Sequence, residues 1–381
     1  MNICMLTDQF PPDLGGVSSY VYNLSRSLVK RGHAVAVISR GSWRGSKYER
    51  VDGISVHRVR FIPSYPSPFW LQGVWVNKLF KSLESDFDLL HVHGALVPVI
   101  HTSLPIVFTS HGTIKKDIEN MPVRSFHFRV VKMLKRQLFE VEKSLVRQAD
   151  VITAVSRSCA EDLKGYHAID KEITVIGNGI DSAFFAPNKA NEMDETCILY
   201  TGRLETLKGL TTLVESARYV CQKYKNLKYV LVGKGTIEKV LRTMISELGL
   251  EQNFHFAGYI SDRNSLLQYY QKATIYVLPS YSEAMPTSLL EAMSCGVASI
   301  ATDVGGNREV IADGETGVLV PSRDPKTLAE ATLKLLDDKE LRHRIGANAR
   351  NRVRNNYDWK LIVDRIEAIY SAITGSKPGS G

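Results

Sequence analysis

The chain has 381 residues, more than one hydrophobic core usually serves, and its 44% hydrophobic content is enough to fill two. Its five cysteines (Cys4, Cys159, Cys197, Cys221, Cys295) lie far apart, which argues against a zinc ribbon or a disulfide scaffold and fits a reducing compartment. No uncharged apolar run reaches the ~18 residues of a membrane span, MNICMLTD is too short for a secretory signal, and a net charge of +8 leaves nucleic acid, an anionic membrane surface or anionic substrates as partners.

Asn2 to Thr7 (NICMLT) reads as a buried strand, and Gly15-Gly16 opens an amphipathic helix, VSSYVYNLSRSLVKRG, before a second strand, AVAVIS. This is a strand, glycine turn, helix, strand unit with a parallel sheet. Paired glycines at a helix N-terminus let backbone approach a phosphate or a sugar, but the third glycine of a dinucleotide fingerprint is missing, which removes the NAD oxidoreductase reading. Residues 40–67 read as a loop, the strand ISVHRVRF and a proline-rich turn. The segment PFWLQGVWVNKLFKSL then sets Phe69, Trp70, Trp75 and Phe80 among lysines, either as core packing under a loop or as an apolar lip against lipid.

LLHVHG and PIVFTSHGT are two buried strands, each ending in His-Gly, at His93 and His111. The C-terminal end of a parallel strand is where open α/β sheets bind ligands. Residues 124–147 form a long helix with a stripe of Val130, Leu134, Leu138, Val141 and Leu145, and residues 115–147 hold nine Lys/Arg against four Asp/Glu. Strand DVITAVS, a short helix and strand EITVIGNGID close the first domain at about residue 185. Ala183 to Glu195 is polar and reads as the interdomain linker.

Strand CILYTG opens the second domain over 195–356. Arg203 and Lys208 follow it in GRLETLKG, just before the next helix. Two cations at a strand end and a helix start suit a diphosphate: arginine binds phosphate through parallel bonds and lysine acts as a point charge. YVLVGKG and FHFAGYIS are the next strands. The most informative stretch, SYSEAMPTSLLEAMSCGVASIATDVGG, follows the apolar strand IYVL. It reads as loop, helix from about Pro286, strand and glycine turn, with Glu283 before the helix and Glu291 on it, seven residues between them. Backbone N–H groups at such a helix start attract anions, whereas carboxylates accept hydroxyl hydrogen bonds. The combination suggests a ligand carrying both phosphates and polyol hydroxyls, such as a nucleotide sugar. The chain ends in an amphipathic helix, with Trp359, Ile362, Ile366 and Ile369 on one face, and a Gly/Ser/Pro-rich tail over 375–381 read as disordered.

Glu-x7-Glu ending in LLEAMSCG resembles the signature of the retaining glycosyltransferases of family 4, and GRLETLKG resembles their diphosphate clamp. NGID resembles the Asn-Gly-Val-Asp that ends their first domain, and SHGT their catalytic-face loop. Motifs in both halves stand in the right order, so the resemblance covers essentially residues 1–374. It implies an α/β fold of the GT-B type: two Rossmann-like domains with parallel sheets facing a central cleft, and a C-terminal helix (357–374) crossing back to the first domain. It implies that Glu283 contacts the donor sugar, Glu291 the ribose, and Arg203 with Lys208 the diphosphate. Gly15 and Gly16 would touch the donor, Gly258, Tyr259 and Ile260 would lie beside the base, and Met285, Pro286 and Thr287 would line the donor site. His111 would contact the sugar and assist charge movement, and His93 has weaker support. Many members have Glu-Gly-Phe-Gly where this chain has Glu283-Ala284-Met285-Pro286, so the fitting sugar is not implied.

The expectation is therefore a retaining hexosyltransferase without cofactor or metal, its two cations stabilising the leaving diphosphate. The donor is a nucleoside-diphosphate sugar, UDP preferred to GDP. The N-terminal part also resembles enzymes that glycosylate phosphatidylinositol or related lipids, which favours a lipid or lipid-linked acceptor over a soluble sugar, sugar phosphate or polysaccharide. Residues 1–185 carry a net +6 of the +8. This fits a cytoplasmic protein held peripherally on an anionic membrane face. A nucleic-acid-binding protein is the remote alternative, without a recognisable module to support it.

Overall fold

The computed structural model describes residues 1–13, 15–42, 45–60, 68–94, 101–119, 126–188 and 196–375, without the side chains of 68–72, 117–119, 126–135 and 137. In chain order the elements are β1 (Asn2–Thr7), α1 (Gly16–Lys30), β2 (Ala34–Arg40), β3 (Lys47–Val51), β4 (Ile54–Val59), α2 (Pro68–Leu83), β5 (Leu89–His93), β6 (Ile106–Ser110), α3 (Ile114–Glu119), α4 (Phe126–Gln148), β7 (Val151–Ala154), α5 (Arg157–His167) and β8 (Ile173–Val175). They continue with β9 (Cys197–Thr201), α6 (Leu210–Lys223), β10 (Lys228–Val232), α7 (Glu238–Glu247), β11 (Phe254–Gly258), α8 (Arg263–Lys272), β12 (Ile275–Leu278), α9 (Thr287–Ser294), β13 (Ala298–Thr302), α10 (Asn307–Val310), β14 (Val318–Val320), α11 (Pro325–Asp337), α12 (Lys339–Asn356) and α13 (Trp359–Thr374). The chain divides into two compact units: Met1–Asn178 with Trp359–Gly381, and Gly179–Asp358.

The first unit has an eight-stranded sheet ordered β3-β4-β2-β1-β5-β6-β7-β8, parallel throughout except for the antiparallel β3–β4 pair. Ile3 to Leu6 and Leu89 to Val92 are buried continuously rather than alternately, as in a sheet covered on both faces. The order turns between β1 and β5, so the loops after those strands diverge and leave a crevice at their C-terminal ends. The polar strand KYERV was read as loop. It is an edge strand, and its alternation is hidden by the charges that edges carry.

α13 belongs to this unit. Ile362, Val363, Ile366 and Tyr370 are buried in the same cluster as Val21, Leu24 and Leu28 of α1, with Trp359 and Ile369 partly buried against them. Arg31 at the end of α1 donates to Asp364 at 2.6 Å and His33 meets Glu367 at 2.8 Å. Phe80 and Val76 of α2 are buried, so the aromatic segment contributes to the core. Trp75 is half-buried with Arg60 5.8 Å from its ring centroid, and Phe69 and Trp70 lie outside the described side chains.

The second unit has a six-stranded, all-parallel sheet ordered β11-β10-β9-β12-β13-β14. Counted from β9, this is the 3-2-1-4-5-6 order of a Rossmann fold, with its switch point between β9 and β12. The polar linker expected at 183–195 starts too early. Phe185 is buried, its carbonyl accepts Ser294 Oγ at 2.7 Å, and its ring meets Tyr270 at 5.9 Å, so this segment is built into the second unit. The two chain crossings run side by side within that unit, Ile180 N–H donating to the Tyr357 carbonyl at 2.7 Å. Residues 376–381, the rest of the expected disordered tail, lie outside the described residues.

Candidate active site

The loops after β9 and β12 leave the second sheet on either side of its switch point. The first carries Arg203 and Lys208, the second Glu283. Lys208 Nζ donates to Glu283 Oε1 at 2.6 Å, and Ser280 Oγ donates to the same oxygen at 2.6 Å. Glu283 is 8% exposed and Lys208 21%, so this pair is far drier than a surface salt bridge. Two glycines bring the loops together. Gly209 has φ +63°, and a Cβ there would lie 1.9 Å from the Pro279 carbonyl oxygen. Gly305 has φ +47°, and its Cβ would lie 1.9 Å from the Glu283 carbonyl oxygen. No L residue combines the left-handed backbone with that approach without strain.

Arg203 is exposed at the mouth of the β9 loop, and its carbonyl accepts the buried Tyr200 hydroxyl at 2.8 Å. Among the described residues its guanidinium forms no ion pair, so it joins Lys208 in sequence but not in contact. Pro286 is the N-cap of α9, Met285 is buried, and Thr287 is the first helical residue. α1, α6 and α9, which start near the switch points, have no side-chain cap among the described residues, and neither do α7 and α10, whereas Ser156, Asp262, Asp324 and Asp338 cap α5, α8, α11 and α12.

Glu291, one turn into α9, is half-buried and takes no part in the Lys208–Glu283 pair. Its Oε2 accepts the Tyr270 hydroxyl at 2.6 Å, and that hydroxyl also meets Thr201 Oγ1 at 2.6 Å. Tyr276, bonded to Ser288 at 2.8 Å, completes the polar floor beneath β9. Burial pushes the Glu291 carboxyl up to about 7, against the Tyr270 hydrogen bond and Arg263, which pull it down. Tyr270 was missed in the sequence because its helix, SLLQYYQKA, carries no motif. Gly258, with Tyr259 and Ile260 after it, lies at the end of β11, two strands from β9, and Tyr259 is 44% exposed.

In the first unit, β5 borders the other switch point and β6 is the next strand beside it. His93 Nδ1 and His111 Nε2 are 3.2 Å apart. Tyr20 of α1 packs edge-on against His111 at 4.7 Å. Burial holds His111 down to about 3, so it is neutral at physiological pH. Gly15 is the N-cap of α1 and Gly16 its first residue. The structure thus places every candidate of this unit on the C-terminal edge of its sheet, and adds His93 as the direct partner of His111. Each histidine stands in a His-Gly pair at the end of one of two neighbouring strands, which was the available signal.

The family model "Glycosyltransferase Family 4" matches residues 14–184 and "Glycosyl transferases group 1" matches residues 181–352. The chain belongs to the family 4 glycosyltransferases. It is similar to a glycogen synthase of Mycobacterium tuberculosis, 29% identical over 98% of this chain and 95% of the relative. It is also similar to a phosphatidyl-myo-inositol mannosyltransferase of Mycobacterium leprae, 29% identical over 95% of each chain. Among solved structures, a sucrose-phosphate synthase of Thermosynechococcus elongatus matches with TM-score 0.83 and 23% identity over 98% of this chain and 99% of that one. An Anabaena protein in complex with UDP-glucose matches with TM-score 0.76 and 18% identity over 97% and 99%. These likenesses show the GT-B fold for this glycosyltransferase: two α/β domains built on largely parallel sheets. No helix among the described residues is long and apolar enough to cross a membrane.

Proposed function

We propose that this glycosyltransferase moves a hexosyl group from a nucleoside-diphosphate sugar, a UDP-sugar in preference to a GDP-sugar, to a hydroxyl of a lipid or lipid-linked acceptor, with retention of configuration and without a metal. The observation that carries the reading is the Lys208–Glu283 pair across the β9/β12 switch point. It joins a cation suited to a leaving diphosphate and a carboxylate suited to sugar hydroxyls. Cleavage of the sugar–phosphate bond leaves negative charge on the diphosphate, which Arg203, Lys208 and the uncapped N-terminus of α9 stabilise as it develops. Glu291 accepts from the ribose and His111 donates to the sugar. Ion pairing of Glu283 and hydrogen bonding of Glu291 suit both carboxylates to binding roles.

The mannosyltransferase relative, whose name specifies a phosphatidylinositol acceptor, supports the lipid reading. The basic excess in the sequence of residues 115–147, of which Arg136 and Arg147 are exposed while the side chains of Lys132 and Lys135 lie outside the described ones, supports residence at an anionic membrane face. The glycogen synthase relative favours a second reading, a soluble glycan acceptor on the same donor chemistry. The test is a panel of UDP-, GDP- and ADP-sugars without acceptor. One UDP-sugar should raise the melting temperature and be slowly hydrolysed, and NMR should show the released sugar with its anomeric configuration kept. If no nucleotide sugar shifts the melting curve, the reading fails.

A further inference from the structure

His93 lies at the end of β5 and is 1% exposed. Its Nδ1 faces His111 Nε2 at 3.2 Å, and among the described residues its Nε2 has no partner. The ring cannot swing to find one. His91 lies against it with centroids 4.0 Å apart and the rings tilted by 37°, and Tyr20 packs against it at 5.7 Å. His91 is itself held at both nitrogens, Nδ1 by the Tyr370 hydroxyl of α13 at 2.5 Å and Nε2 by Thr109 Oγ1 at 2.6 Å. Thr109 continues to Thr153 Oγ1 at 2.6 Å. A chain of contacts therefore runs from α13 through β5 to the end of β6.

Burial keeps all three imidazoles neutral at physiological pH, so each ring has one donor nitrogen and one acceptor. Two arrangements satisfy the His93–His111 contact. In one, His111 donates from Nε2, and the His93 proton sits on its own Nε2, buried without an acceptor. In the other, His93 donates from Nδ1, and its Nε2 keeps only a bare lone pair. A buried N–H without a partner is the more costly of the two defects. The second arrangement wins, and its consequence reaches the next ring: His111 Nε2 is an acceptor, so the His111 proton resides on Nδ1.

We propose that His93 is a positioning residue that sets the tautomer of His111, holding His111 as the Nδ1–H form so that Nδ1 is the donor offered to the ligand. Only the identity of that ligand, the donor sugar, rests on the proposed function. A histidine that presented its lone pair instead would accept from a sugar hydroxyl and could not donate to a sugar oxygen, so the tautomer sets the direction of the hydrogen bond and whether His111 can stabilise negative charge that develops on that oxygen.

The test is the ligand-free protein with 15N-labelled histidine, read by long-range 1H–15N spectra at pH 7, with the His111 signals assigned by their loss in His111→Asn. Native His111 should show a protonated Nδ1 and a bare Nε2. His93→Leu should move His111 toward the Nε2–H form common in free histidine, and lower kcat for donor turnover about tenfold with little change in KM. His93→Asn, whose amide N–H takes the place of Nδ1–H, should restore both the tautomer and most of the kcat. A native His111 in the Nε2–H form overturns the proposal, and so does an unchanged tautomer or an unchanged kcat in His93→Leu. The native spectrum needs no His93 variant, so misfolding of His93→Leu leaves the proposal testable. It also needs no substrate, so failure of the transferase reading would be seen separately.

Discussion

Glu291 offers a perturbation whose two effects have opposite signs. Burial raises its carboxyl from the ordinary 4.5 to about 7. The ionised fraction therefore rises from ~10% at pH 6 to ~90% at pH 8. If the carboxylate is the form that accepts ribose hydroxyls, donor affinity should rise about tenfold over that interval, since apparent affinity scales with the competent fraction. The diphosphate diester of a nucleotide sugar does not titrate there, so the change belongs to the protein. Glu291→Gln should bind the donor more weakly and without that pH dependence.

The same shift bears on stability. The native state holds a proton on Glu291 between 4.5 and about 7 that the unfolded chain has released. The contribution of Glu291 to stability is therefore greatest below 4.5 and declines as pH rises towards 7. Above that pH the buried ionised carboxylate costs the native state about 3 kcal/mol, and a neutral glutamine still accepts from Tyr270. Glu291→Gln should then melt higher than native at pH 8, while the two converge towards pH 5. Isothermal titration with UDP-sugar from pH 6 to 8 and thermal melts across the same range read both effects. A lower melting temperature for the glutamine variant at pH 8, or native binding flat with pH, would refute the reasoning.

Lys208→Ala and Arg203→Ala should each lower donor turnover by about 10²-fold, the usual cost of removing a donor to developing negative charge, and turnover should survive EDTA. Activity lost to EDTA and restored by magnesium or manganese would contradict the metal-free mechanism. Gly209→Ala should cost at least about 2 kcal/mol in a denaturant melt, because its Cβ would sit 1.9 Å from the Pro279 carbonyl oxygen in a left-handed backbone. Arg350 of α12 donates to the carbonyls of Phe185 and Ser294, the latter at the end of α9, so Arg350→Ala should destabilise by about 1–3 kcal/mol. Co-sedimentation with anionic liposomes should fall with salt and drop when Lys132, Lys135 and Arg136 become glutamate; equal recovery with neutral liposomes would leave α4 a solvated basic face.

Much of the site was readable because its residues cluster in short segments. Arg203 and Lys208 stand five apart at one strand end, and Glu283 and Glu291 bracket one helix start. The pairings among them were not readable. Lys208 is 75 residues from Glu283, and nothing in the sequence says that Glu283 rather than Glu291 meets the lysine. Tyr270 reaches Glu291 and Tyr370 reaches His91 across 21 and 279 residues, through helices whose sequences advertise only packing.

By itself the sequence determined the class: apolar strands alternating with amphipathic helices dictate layered α/β domains, and glycine turns at strand ends dictate where a phosphate can approach. Both are local consequences of periodicity and backbone freedom. Tertiary structure alone decided that the chain leaves the first unit after Asn178, that β3 forms an edge, that the C-terminal helix expected to return to the first domain packs on α1 in particular, and which carboxylate is ion-paired and which is bonded to a tyrosine. Those outcomes depend on which surfaces exclude water together, and that is settled between residues far apart in the chain.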